Sequence, residues 1–103
     1  MATLIMLEVH KTEAFAAWID GLRDSVARTR ILVRIERLIA GNPGDVKSVG
    51  EGVSELRIDC GPGYRVYFTR LRRQLVILLA GGDKSTQDAD INTALRLARG
   101  LTE

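Results

Sequence analysis

An α+β domain is the fold class this sequence predicts, and three observations predict it. Apolar residues recur with helical spacing in two segments between about positions 13 and 40. They alternate with polar ones around a glycine–proline turn between 54 and 68. An unbroken apolar run, LVILLA at 75–80, then reads as a strand covered on both faces. The expected order is β-α-α-β-β-β-α, with two helices from the N-terminal half packed on a small, mostly antiparallel sheet. A twisted sheet covered on one side leaves a concave face, and the polar hairpin residues are expected to point there.

The first strand is expected over 3–9 (TLIMLEV). Thr12, followed by Glu13 and apolar residues at Phe15, Trp18, Ile19 and Leu22, predicts a short helix capped at Thr12. Gly21 weakens its end, and Asp24 or Ser25 can cap a second helix running to about Ala40 with Ile31, Ile35, Leu38 and Ile39 on one face. Gly41 ends it, and Asn42-Pro43-Gly44 prevents continuation. Residues 42–52 read as a glycine-rich loop. The hairpin follows, then the strand LVILLAGG, which can pair in parallel with the first strand after its long crossover. Ser85 or Thr86 can cap a last helix built on Ile91, Ala94, Leu95 and Ala98.

A chain of 103 residues is read as one domain over 1–103. Its apolar fraction of 46% and charged fraction of 27% are those of a globular protein. The longest apolar run is too short to span a membrane. MATLIMLEVHK has neither the basic start nor the cleavage pattern of a signal peptide, and the single cysteine, Cys60, fits a reducing cytoplasm. Net charge is only +2, but 12 of the 15 basic residues are arginines, whose planar fork suits phosphate. One cysteine and one histidine, with Glu55 and Asp59 as sparse carboxylates, exclude a usual zinc site, so no metal and no cofactor is expected.

The hairpin SELRIDCGPGYRVYF carries Glu55, Arg57, Arg65 and Tyr67 at alternate positions. Opposed residues across an antiparallel pair lie about 5 Å apart, so Arg57 is expected near Arg65 or Tyr67. Like charges so placed repel unless an anion sits between them. Glu55 can supply that internally, and a bound phosphate would supply it better. Lys84, in GGDKSTQ at the end of the last strand, can reach the same concavity. Each of these residues also has a plain reading: arginines on an open face, a half-buried packing tyrosine, a solvated Asp83–Lys84 turn. Arg23, Arg30, Arg34 and Arg37 lie near one stripe of the second helix, either as a solvated face or as a docking surface for nucleic acid or an acidic partner.

Two segments, VGEGVSELRIDCGPGYRVYF (49–68) and LLAGGDKSTQDADINTA (78–94), together with FAAWIDGLRD, resemble the addiction-module killer proteins. These are HigB-like toxins of the RelE/ParE superfamily of bacterial toxin–antitoxin systems, and the resemblance covers nearly the whole chain. It implies a cytoplasmic toxin in a hetero-oligomer with a cognate antitoxin, commonly of the helix-turn-helix DNA-binding type. In RelE-like members the concave face binds mRNA in the ribosomal A site and cleaves it without metal, by attack of the 2′-hydroxyl on the adjacent phosphate. Carried onto this sequence, Arg65, Arg57 and Lys84 would hold the scissile phosphate, and Tyr67 would stack or orient a base. Arg30, Arg34 and Arg37 would contact RNA. The further aromatic or histidine common near the last helix is missing. Glu55 is then the candidate base and Lys84 the candidate acid, with proton transfer partly left to the ribosome. Two alternatives stand beside this reading: a ParE-like poison of DNA gyrase without nuclease activity, and an inactive binding module.

Overall fold

The computed structural model describes residues 7–101. Among them, five strands form one sheet in the order β1-β5-β4-β3-β2. Strand β1 (Glu8–Lys11) runs parallel to β5 (Leu75–Asp83); β5 with β4 (Tyr64–Leu71), β4 with β3 (Val53–Ile58) and β3 with β2 (Val46–Gly50) are antiparallel. The parallel pairing of first and last strands is the one the sequence predicts. Of the first strand expected over 3–9, residues 3–6 lie outside the described residues, and the strand itself begins at Glu8.

Helix α1 (Glu13–Gly21) starts where Thr12 predicts. The Thr12 hydroxyl accepts from the Phe15 amide at 3.0 Å and donates to the Leu79 carbonyl at 2.6 Å, so one side chain both caps the helix and fixes it to β5. Helix α2 (Ser25–Ile39) is capped by Asp24, whose carboxylate accepts from the amides of Val26 and Ala27 at 3.1 Å. Gly41, at φ +89°, turns the chain out of it. Both helices press their apolar stripes onto one face of the sheet. Phe15, Ile19, Ile31 and Leu38 bury against Leu56, Val66, Phe68 and Val76.

Two features depart from expectation. The loop expected over 42–52 contains β2, an edge strand with only Val46 and Val49 to mark it. Its glycines form a tight turn into β3: Gly50, Glu51 and Gly52 all take positive φ (103°, 52° and 78°). The second departure concerns the open face. Helix α3 (Gln87–Arg99) crosses it and closes a second core, in which Ala94 and Ile91 pack on Val53, Tyr67, Ile77 and Leu79. The sheet is therefore sandwiched over much of its area. A bidentate pair from Arg99 to Glu51 (2.9 and 2.6 Å) joins the far end of α3 to the β2–β3 turn. No helix among the described residues is long and apolar enough to cross a membrane.

Gly81 and Gly82 make this sandwich possible. A Cβ on Gly81 would stand 2.1 Å from the Trp18 ring of α1, and one on Gly82 would stand 1.8 Å from the Asp90 carboxylate of α3. Consecutive strand residues face opposite ways, so the pair lets a helix approach each side of β5. The Trp18 ring is wedged beside Phe15 and Tyr64, at centroid distances of 5.9 and 6.3 Å, whereas Asp90 is a side-chain end that can swing. Gly81→Ala should therefore cost about 1–3 kcal/mol in urea unfolding, and Gly82→Ala less. Equal stability of Gly81→Ala and the wild type would contradict this packing.

Candidate anion site

The β3–β4 hairpin turns at Gly61-Pro62-Gly63, where Gly61 and Gly63 have φ of +54° and +80° and the Gly63 amide donates to the Cys60 carbonyl at 3.1 Å. This turn sets the register: Arg57 pairs with Arg65 and Glu55 with Tyr67. All four side chains leave the same face, as their alternation predicts. They meet different surroundings, because α3 begins at Gln87 and roofs the Glu55–Tyr67 rung while the Arg57–Arg65 rung lies past the helix end.

Glu55 is fully buried, and both of its oxygens are occupied. Oε1 accepts from Arg57 Nε at 3.0 Å and from Arg65 Nη1 at 3.5 Å; Oε2 accepts from the Tyr67 hydroxyl at 3.1 Å and from Gln87 Nε2 at 2.8 Å. Burial pushes its pKa up, but the hydrogen bonds from Arg57, Gln87 and Tyr67 and the charge of Arg65 outweigh that, and the net shift is downward. The Tyr67 phenol moves the other way: burial, and then the neighbouring carboxylate, hold it protonated as a donor. Hydrogen bonding to Glu55 raises the pKa of Arg57 above its already high ordinary value.

These contacts bear on two expected roles. Glu55 has no face toward solvent, a depressed pKa and four donors on its two oxygens, the setting of a fixed counter-anion. Tyr67 lies in the second core with none of its surface exposed, so its ring has no face to offer a base. Arg34 has a structural engagement that its helix stripe does not announce. Its guanidinium donates to the carbonyls of Arg57 (2.5 Å), Pro43 (3.0 Å) and Asp45 (3.5 Å), which binds α2 to the hairpin. Arg30 and Arg37 are exposed and line a groove on α2 with Val33, Ile58 and Asp59.

Beyond the end of α3 the three remaining cations come together. Arg57, Arg65 and Lys84 line one cleft of about 420 Å³ with Asp45, Ile58, Asp59 and the Gly61-Pro62-Gly63 turn. The Lys84 Cβ sits against Gly63, and a 3₁₀ turn (Lys84–Thr86) holds its backbone. Asp83 caps that turn, accepting from the Ser85 amide at 2.8 Å and the Ser85 hydroxyl at 2.5 Å, and these bonds depress its pKa. Thr86, expected to cap the last helix, makes no such bond and donates instead to Asp90 at 2.5 Å. Arg57 is about a third exposed at 34% and Arg65 is 13% exposed. Arg65 Nε is buried without a hydrogen-bond partner, so this guanidinium is under-satisfied.

Three cations face two lining carboxylates, so an anion would be held there by directed donors rather than by bulk field. Two guanidiniums and an ammonium on one concavity can hold the non-bridging oxygens of a phosphodiester and stabilise charge that builds on it. His10, exposed on β1, contacts Glu8 at 3.6 Å and takes no part in the cleft. Among the described residues no group of three or more His, Cys, Asp or Glu is placed to hold a metal ion. Gln87 is the site residue that sequence reasoning missed, because a glutamine in a polar run before a helix gives no sign of a distant carboxylate.

The clamp on Glu55 has a pH signature. Its folded pKa lies below the ordinary 4.5, so the unfolded chain takes up this proton first as pH falls. The contribution is whole above the ordinary value and is lost as pH falls through the folded one. Urea midpoints followed from about pH 6 to about pH 3 should fall more steeply for wild type than for Glu55→Gln. Glu55→Ala, which strands buried cations, should lose about 3–5 kcal/mol near neutrality. Parallel pH profiles for Glu55→Gln and wild type would contradict the network.

Comparison with known proteins gives the family and the fold. The family model described as phage derived protein Gp49-like (DUF891) matches residues 17–99. An uncharacterized protein of Haemophilus influenzae is 50% identical over 95 residues, 92% of this chain and 96% of that one. Among solved structures, a double arginine-to-alanine mutant of the Escherichia coli toxin RelE in the free state superposes with a TM-score of 0.72. That match covers 93% of this chain and 99% of the other at 13% identity, so the fold is RelE-like.

Proposed function

We propose a function for a chain that belongs to the phage-derived Gp49-like family: it is the toxin of a type II toxin–antitoxin pair and cleaves mRNA on the ribosome. The convergence of Arg57, Arg65 and Lys84 on one cleft of a RelE-like fold carries this reading. The RNA supplies its own nucleophile. The 2′-oxygen bonds to the adjacent phosphorus and the bond to the 5′-oxygen breaks, leaving a 2′,3′-cyclic phosphate and a 5′-hydroxyl. Arg57 and Arg65 grip the non-bridging oxygens, and Lys84 donates the proton the leaving oxygen needs. With Glu55 occupied, the 2′-hydroxyl proton passes to a cleft carboxylate, Asp45 or Asp59, or to the ribosome.

The α2 groove shares Ile58 and Asp59 with the cleft, so Arg30 and Arg37 stand where flanking phosphates would run. A cognate antitoxin, of the helix-turn-helix type by resemblance to HigB-like systems, silences the site in a cytoplasmic hetero-oligomer. A second reading, a ParE-like gyrase poison, draws support from apolar side chains that α2 leaves open: Val26 at 62%, Leu32 at 44% and Val33 at 37% exposure. Such a surface suits a protein partner, antitoxin or gyrase alike. Convergent cations in a cleft are needed only for cleavage.

Purified protein added to a translating bacterial extract should cut end-labelled mRNA only while translation proceeds. Arg57→Ala, Arg65→Ala and Lys84→Ala should each lose about 10²–10³-fold in cleavage rate, with folding checked by thermal melting. Intact mRNA from a protein that still arrests growth would overturn the nuclease reading in favour of gyrase. No growth arrest on induction would leave an inactive binding module.

A further inference from the structure

The orientation of Arg57 and Arg65 traces back to α3. The last torsion of a glutamate side chain is soft and holds no angle unaided. A carboxylate bonded only through Oε1 would turn and carry its partners with it. Here Oε2 is pinned by two donors, the Tyr67 hydroxyl from β4 and Gln87 Nε2 from the first residue of α3. The carboxylate plane is thereby fixed, and Oε1 stays directed at Arg57 Nε and Arg65 Nη1. Because a carboxylate only accepts, the Gln87 amide must present its NH₂ to Glu55. The bond to Arg57 uses Nε, and the terminal nitrogens of this part-exposed side chain remain for the cleft.

We propose that Gln87 is a positioning residue: through Glu55 it aims Arg57 and Arg65 into the cleft, and the register of α3 on the sheet thereby sets the geometry of the anion site. Its positioning role rests on the RNA-cleaving reading, while the contact itself does not. Tyr67 is the second pin, in a place where truncation would also open the core. Gln87 lies at the helix end, where replacement costs little packing, and is the cleaner probe.

Gln87→Ala removes one of the two pins and leaves the softer hold of Tyr67 alone, and Gln87→Glu sets a second carboxylate against the first. Both should fold, as judged by thermal melting. In NMR spectra of the wild-type protein the Arg57 Nε–H should exchange slowly with water, and in both variants it should exchange faster by about tenfold or more. In the translating extract, cleavage at saturating mRNA should fall about tenfold to a hundredfold with little change in the half-saturating mRNA concentration. Unchanged Arg57 exchange in a folded Gln87→Ala protein would overturn the proposal, as would wild-type cleavage by that variant. Should the wild type cleave no RNA while the exchange difference stands, the nuclease reading and the positioning role would both fall, and only the contact would survive.

Discussion

Two arginines paired across neighbouring strands at the mouth of a sheet repel each other, and the structure depends on how Glu55 meets that repulsion. Its carboxylate is buried, takes a hydrogen bond from each arginine, and is held from behind by a phenol and an amide. Desolvating such a group is expensive, and a buried ion network commonly contributes no more stability than apolar packing of the same volume. Stability is thus a weak account of it. Geometry is a better one: the network fixes guanidinium groups that would otherwise sweep through several rotamers, and a site acting by charge stabilisation needs its donors aimed before the substrate arrives.

The sheet divides its two faces between separate tasks. One carries α1 and α2 over a continuous apolar core. The other is shared: α3 buries Val53, Tyr67 and Leu79 along most of its length, and the cations lie beyond its N-terminal end. Gly81 and Gly82 let both layers close on β5, and the chain passes directly from them into Asp83, the capped turn and Lys84. The backbone that permits the packing thus also delivers the third cation. The same boundary lets a chain of net charge +2 gather three cations in one cleft. Its positive groups work as oriented donors, and the acidic residues around them keep the wider field small.

Much of this was legible from side-chain period. The two-residue alternation of β3 and β4, with a glycine–proline turn between them, put Arg57 near Arg65 or Tyr67, and the structure pairs it with Arg65. Thr12 and Asp24 announce their helices because only a few residue types can cap one. What stayed hidden depends on contacts distant in sequence. Strand β2 has two valines and a glycine turn, too little periodicity to separate from a loop. Alternation places Glu55 and Tyr67 on a polar face but is blind to a helix from residue 87 onward lying across it. Arg34 sits among other basic residues on its helix stripe, and only the fold shows its guanidinium spent on three backbone carbonyls.

In the reading proposed above, a phosphodiester binds between Arg57, Arg65 and Lys84, with Glu55 behind the two arginines. The most direct measurement is a crystal structure of the protein with a short single-stranded RNA whose reacting 2′-hydroxyl is replaced by hydrogen. The phosphate beside that sugar should lie in the cleft, in contact with both guanidiniums and the Lys84 ammonium, with the Glu55 contacts unchanged. RNA bound only along α2, with the cleft holding solvent, would contradict it.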